Sequence, residues 1–500
     1  MNAVLVGTAA ALLAAGLLAA TTQAQAQWRT PRPRPVSVPV NLAVLDQALL
    51  LTVDDGRSGQ ELWRVDPGTL QASLVHDIRP GELGSHPSQP VRFGAQACFA
   101  ANDGSSGFEL WCSNGQTDGT YRVADIHPGP GDSVPTALTA LGEQLIFVAD
   151  DGRHGFELWR SDGTAAGTQL LADVWPGAAG ANPRELTRVG ARLFFVADDG
   201  RRGAELWVTD GSSAGTRLVK DIQPGPAASS PSRLTALGDT LFFVANDGVH
   251  GHELWTSDGT AAGTRLVRDI QAGPASARPA HLVAWGQQLY FAADDGRSGV
   301  ELWTSDGRRA GTHRVADIHP GPGHGVPAHL TVAAGALLFA ATDGQSPVRL
   351  WRSDGTAAGT RPAAGPMTGT LGDPLAAQPA DAARRRAVPG GEVPNRLQAD
   401  GPRLLYAAMD DAAGYEPWVS DGSAEGTRRL ADLAPGPADS FPHQFTRLGE
   451  RLFFVADDAQ GQTALWCEQA DGRIQRVSLP MATGAAAAAT PDAPPLKPGA

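Results

Sequence analysis

Seven tryptophans in this chain stand at equal intervals. Trp63, Trp111, Trp159, Trp207, Trp255, Trp303 and Trp351 are each 48 residues apart. Trp418 follows after 67 residues, which is 48 plus a 19-residue insertion, and Trp466 after another 48. Nine copies of one unit therefore occupy residues 37–480. A period of this length marks a repeat architecture. Each copy is one supersecondary unit that buries its apolar surface only by stacking on its neighbours.

The copy at 232–279 reads SRLTALGDTLFFVANDGVHGHELWTSDGTAAGTRLVRDIQAGPASARP. Four short runs, RLTAL, TLFFVA, HELWTS and TRLVRDI, are separated by Gly, Asp-Gly and Pro-Gly punctuation. Such runs predict strands, and no stretch has the length or 3.6-residue pattern of a helix. In the second run Phe242 and Val244 point one way, and Leu241, Phe243 and Ala245 the other. Both faces are apolar, so this strand must be covered on both sides. Four-stranded sheets stacked face to face around an axis meet that demand. The predicted fold is all-β, a β-propeller of about nine 48-residue four-stranded blades. An open β superhelix or two smaller propellers are the alternatives. The copies at Trp351 and Trp466 are degenerate, and one of them is a candidate cap.

Composition agrees. Sixty Gly and 38 Pro among 500 residues supply many turns, and 42% apolar residues supply a core. The formal net charge of −13 argues against a nucleic-acid partner. The N-terminus is an uncharged apolar run followed by AQA at 24–26, which predicts a signal peptide over 1–26 and an exported protein, periplasmic, cell-surface or secreted. A linker (27–36) follows. No later run is long enough to cross a membrane, so no span is expected in the mature chain. The segment 362–394 is expected to be a flexible insertion, and 481–500 a disordered tail. Three cysteines exclude a disulfide-rich scaffold. Cys98 and Cys112 fall opposite each other across a predicted hairpin. A disulfide and a pair of small buried side chains both fit them.

The unit resembles the bacterial ELWxxDGT-repeat family of exported proteins. The motif is intact at 157–163, 205–211, 253–259 and 301–307, and altered to RLW at 349–351, EPW at 416–418 and ALW at 464–466. The resemblance implies a secreted, propeller-like body and carries no catalytic residues.

The repeated polar groups read as scaffold. The second Asp of each DDG turn recurs nine times, from Asp55 to Asp458, and the SDGT turn nearly as often. Asp at a tight turn bonds its own backbone two residues on, and Gly supplies positive φ. A catalytic pair has to be unique, whereas these are in every blade. No cofactor is expected. Calcium held by turn carboxylates is the rival, without an EF-hand order of ligands. The Glu before each Trp is replaced by Arg349 and Ala464 in two copies, and is expected to bond a neighbouring turn. No nucleophile elbow, HExxH motif or P-loop is recognised. The HGH at 250–252 lacks a third metal ligand.

Subtracting the scaffold leaves one variable rim. Its turns carry Arg153, His154, Arg201, Arg202, His250 and Arg297, and its connections carry Trp175 among Arg79, His127, Gln223, Gln271, His319 and Ala434. Arg and aromatic side chains are enriched in binding hot spots. The expected function is a non-enzymatic binding module that presents this rim to an extracellular or envelope partner, a glycan or a protein. A hydrolase or lyase with a site confined to one blade, and a structural surface component, are the alternatives.

Overall fold

The computed structural model describes residues 40–364, 397–410 and 412–479. The predicted signal peptide, the linker, the tail and nearly all of the insertion lie outside the described residues. Thirty-six strands form nine four-stranded antiparallel sheets, with no helix among the described residues. Each sheet is a meander in chain order. Blade 5 shows the pattern: Ser232–Leu237, Thr240–Asn246, His252–Ser257 and Arg265–Arg268. Blades are numbered here 1 to 9 along the chain, and strands one to four within each blade.

Adjacent blades meet at the first strands. The run closes where the first strand of blade 9 (His443–Leu448) lies against that of blade 1 (Val40–Leu45). The segment after the last strand of blade 9 helps close it. Ser478 N donates to Leu70 O at 3.0 Å, and Ala72 N to Ser478 O at 3.0 Å, so the segment after blade 9 runs parallel to the outer strand of blade 1. One nine-bladed ring results, not an open superhelix and not two smaller rings. Neither degenerate copy is a cap, since both complete ordinary blade interfaces.

An apolar cluster fills every interface between neighbouring blades, and each second strand serves two of them. Leu241, Phe243 and Ala245 pack toward blade 4, and Phe242 toward blade 6. Each blade therefore shares both of its apolar faces, which is why an isolated copy has no stable fold of its own. Of the repeat tryptophans, Trp63, Trp111, Trp159, Trp255, Trp303 and Trp351 are buried at these interfaces, and Trp207, Trp418 and Trp466 are partly buried there. Cys98 and Cys112 pair across the second and third strands of blade 2 in a disulfide, and Cys467 is a free, buried thiol.

The Glu of ELW ties each blade to the connection that follows it. Glu61 accepts hydrogen bonds from Ile78 N, Arg79 N, Ser85 N and the Ser85 hydroxyl at 2.5–3.3 Å. The same set of bonds, at offsets of 17, 18 and 24 residues, is made by Glu205 with Ile222, Gln223 and Ser229. Seven such carboxylates are fully buried. Burial pushes Glu61, Glu253 and Glu301 up to about 7, against the pull of the donors. The two exceptions have a structural reason. Arg349 belongs to blade 7, whose following connection is the insertion, and Ala464 to blade 9, which no blade follows. The Glu is absent where there is no standard connection to hold.

Candidate functional site

The turn carboxylates are occupied by their own backbone. Asp55 Oδ1 accepts from Arg57 N at 2.9 Å and Ser58 N at 2.8 Å, while Asp54 Oδ1 accepts from Gly56 N at 2.8 Å. On the opposite rim, Asp162 Oδ1 accepts from Thr164 N and Oγ1, and Ser161 Oγ from Gly163 N, whose φ is +89°. The Thr164 bonds hold Asp162 below the usual carboxylate range. Among the described residues no three or more His, Cys, Asp or Glu side chains converge as a metal-binding group.

One string in this opposite rim escaped the sequence reading. Gly211 to Gly215 spell GSSAG, formally a GxSxG nucleophile elbow. The fold places it in the hairpin between the third and fourth strands of blade 4, with no helix after it. Ser213 Oγ donates to Leu171 O of blade 3 at 2.6 Å, as Thr117 Oγ1 does to Val75 O at 2.7 Å. Ser213 is a blade-to-blade contact, not an elbow serine.

The variable rim is also built of internal contacts. His154 Nδ1 and His250 Nδ1 lie 2.8 Å from the second Oδ of Asp151 and Asp247, and Arg202 Nη1 lies 2.5 Å from Asp199 Oδ2. Ser58, Ser106 and Ser298 bond the turn Asp from the same position in other blades. The Asp151 and Asp247 bonds raise the two imidazoles above their ordinary value. Trp175 lies over Gly200 in the turn of the next blade: a Cβ there would fall 2.5 Å from Trp175 Cε2. His127 covers Gly152, Gln223 covers Gly248 and Gln271 covers Gly296 in the same way. At Ala434 the next turn carries Ala459 in place of the glycine. Of the seven rim candidates, only Arg153, Arg201 and Arg297 are exposed and outside these contacts.

A different set of blade-specific residues converges at the mouth of the central channel. The first strand of nearly every blade opens with a bulge, and its second residue has positive φ: Asn41, Ala137, Glu185, Arg233, His281, His329 and Gln444, all between +53° and +59°. The bulge is architecture, since it recurs. The side chain it re-aims is not. Blades 4 to 7 place Glu185, Arg233, His281 and His329 on consecutive inner strands, where the sequence has amides or Ala in blades 1, 2, 3 and 9 and Arg396 in blade 8. The His281 and His329 rings lie 5.4 Å apart. Burial, then His329, then Arg233 push His281 down to about 4, so it is neutral at pH 7. Glu185 Oε2 accepts from Leu234 N at 3.1 Å, and so caps the open edge of the next strand. Arg233 is exposed and makes no ion pair among the described residues.

No family model matches the chain. No curated protein matches it either. Among solved structures it is similar to a puromycin hydrolase (16% identity, TM-score 0.37, covering 77% of this chain and 58% of that one). It is also similar to a puromycin-hydrolyzing peptidase of Mycobacterium tuberculosis (12%, TM-score 0.38, covering 85% and 59%). A prolyl endopeptidase structure matches at 11% identity and TM-score 0.38, over 77% of this chain and 54% of that one. The chain thus spans less than three fifths of each of these proteins. The expectation of a non-enzymatic module that binds through the variable rim is corrected. The rim itself supplies the physical reason: His154, Arg202 and His250 staple their own turns, and Trp175 covers the neighbouring blade.

Proposed function

We propose that this chain is a hydrolase or lyase that works at the mouth of the propeller channel. One observation carries this reading: blades 4 to 7 place four ionisable side chains of three kinds at one bulge position, and two of them are adjacent imidazoles. A neutral imidazole accepts a proton, and a guanidinium without a partner holds an anionic group or a developing negative charge. Glu185, Arg233, His281 and His329 are the residues of that site. The Cys98–Cys112 disulfide supports an exported protein, because such bonds persist in oxidising compartments.

The test is a substrate screen of the purified chain with ester, amide, glycoside and uronate-polymer substrates. It includes puromycin and prolyl peptides, on which the matched proteins act by name. Turnover that falls at least 100-fold in His281→Ala/His329→Ala, with an unchanged unfolding midpoint, is the expected result. Turnover that survives in this double variant overturns the assignment.

A further inference from the structure

We infer that the channel-mouth site takes a carboxylate-bearing substrate with a leaving group β to the carboxylate, and that Arg233 binds the carboxylate while His281 removes the α-proton. This rests on the proposed enzymatic reading and decides between its two reaction types.

Hydrolysis and elimination need different groups. Glycoside hydrolysis uses two carboxyl groups on either side of the scissile bond. Among the described residues at the bulge position there is one, Glu185, with one of its oxygens already held by Leu234 N. Acyl transfer uses an activated nucleophile, and the one GxSxG string of the chain lies in a hairpin on the opposite rim with its serine bonded to Leu171 O. Elimination needs less: a positive charge on the carboxylate, to stabilise the carbanion-like charge that develops beside it, and one base. The mouth holds both. Arg233 presents the planar fork that matches a carboxylate and has no ion-pair partner among the described residues. The His281 and His329 rings stand together on the next two blades.

The step balances without a co-reactant. A nitrogen of His281 takes the proton from the α-carbon. The C–H electron pair becomes a C=C bond, and the β C–O bond breaks with its electrons on oxygen. The imidazolium returns the proton to that oxygen, and the site is restored. Binding also prepares the base. The Arg233 charge is one of the influences that hold His281 neutral and weakly basic, and a carboxylate on Arg233 cancels it.

The experiment uses the full chain with oligogalacturonate and alginate oligomers. Calorimetry follows binding, ultraviolet absorbance follows the conjugated double bond, and a reducing-end assay follows hydrolysis. The expected result is a double bond formed with each chain break, binding at least 10-fold weaker in Arg233→Gln, and binding retained with elimination at least 100-fold slower in His281→Gln. Arg297→Ala, on an exposed turn, serves as the control that leaves both unchanged. Near-ultraviolet circular dichroism verifies each fold. Unweakened binding in Arg233→Gln, or no uronate binding at all, overturns the inference. Chain breaks without double bonds overturn elimination and leave an enzyme at the channel mouth standing. Uronate binding through Arg233 with no turnover of any substrate overturns the enzymatic reading and the elimination with it.

Discussion

The Ser133 hydroxyl donates to Glu109 Oε2 at 2.7 Å, across 24 residues of chain, and both side chains are fully buried. This bond and its equivalents hold each connection between blades against the blade it leaves. They convert a Gly/Pro-rich segment into a fixed crossing. Removing the carboxylate strands several buried N–H donors at once. Glu253→Ala leaves Ile270, Gln271 and Ala277 without their acceptor, at a cost of roughly 3 kcal/mol. Denaturant unfolding measures it. A loss below a few tenths of a kcal/mol would mean that water replaces the carboxylate.

Stability should fall as pH rises above 6.5. Glu61, Glu253 and Glu301 titrate at about 7 in the folded ring, against an ordinary value of 4.5. Between those values the folded protein holds protons that the unfolded chain has released, so this contribution is full below 4.5 and is lost as pH rises through 7. His154 and His250, raised by their Asp partners, change in the same direction. His281, lowered to about 4, works the opposite way, but only up to its ordinary value of 6.5. Unfolding midpoints at pH 6.5, 7.5 and 8.5 should therefore decline in that order. Glu253→Gln/Glu301→Gln should flatten the trend, and an unaltered slope would remove these carboxylates as its cause.

Reduction should destabilise blade 2, while the oxidised protein presents no reactive thiol. The Cys98–Cys112 bond closes a hairpin across 14 residues, a span worth about 3 kcal/mol in a chain-entropy account. Cys98→Ser/Cys112→Ser should lower the unfolding midpoint accordingly. Burial pushes the Cys467 thiol up to about 11. Alkylation of the native oxidised protein should label nothing, and alkylation after unfolding should label one cysteine. Labelling of the native protein would contradict this environment for Cys467.

Gly200 and Trp175 should behave as one unit. Gly200 sits at φ +74° directly beneath the indole. Gly200→Ala therefore meets both backbone strain and a clash, for a loss of roughly 1–2 kcal/mol. Trp175→Ala removes the clash but not the strain, so the double variant should be less destabilised than the sum of the two. Strict additivity in a double-mutant cycle would show that the indole does not pack there.

What the sequence determined is what repeats. The 48-residue period, the four strands, the two-faced Phe242–Phe243 pair and the Asp-Gly turns are local signals, printed in copy after copy. The hydrogen bonding of the turn aspartates was legible because an Asx turn closes within three residues. The fold reading survives on these grounds. The reading of the variable rim missed its internal contacts, because contacts between blades join residues 25 to 48 apart that no local pattern links. Trp175 looked like a free indole on a variable rim until the fold laid it over Gly200 of the next blade. Glu185, Arg233, His281 and His329 are spaced by 48 and were visible as a column, but each lies in a run that reads as an ordinary first strand. Only the stacking of the blades, with their bulged inner strands set side by side, brings His281 within 5.4 Å of His329 and turns that column into one site.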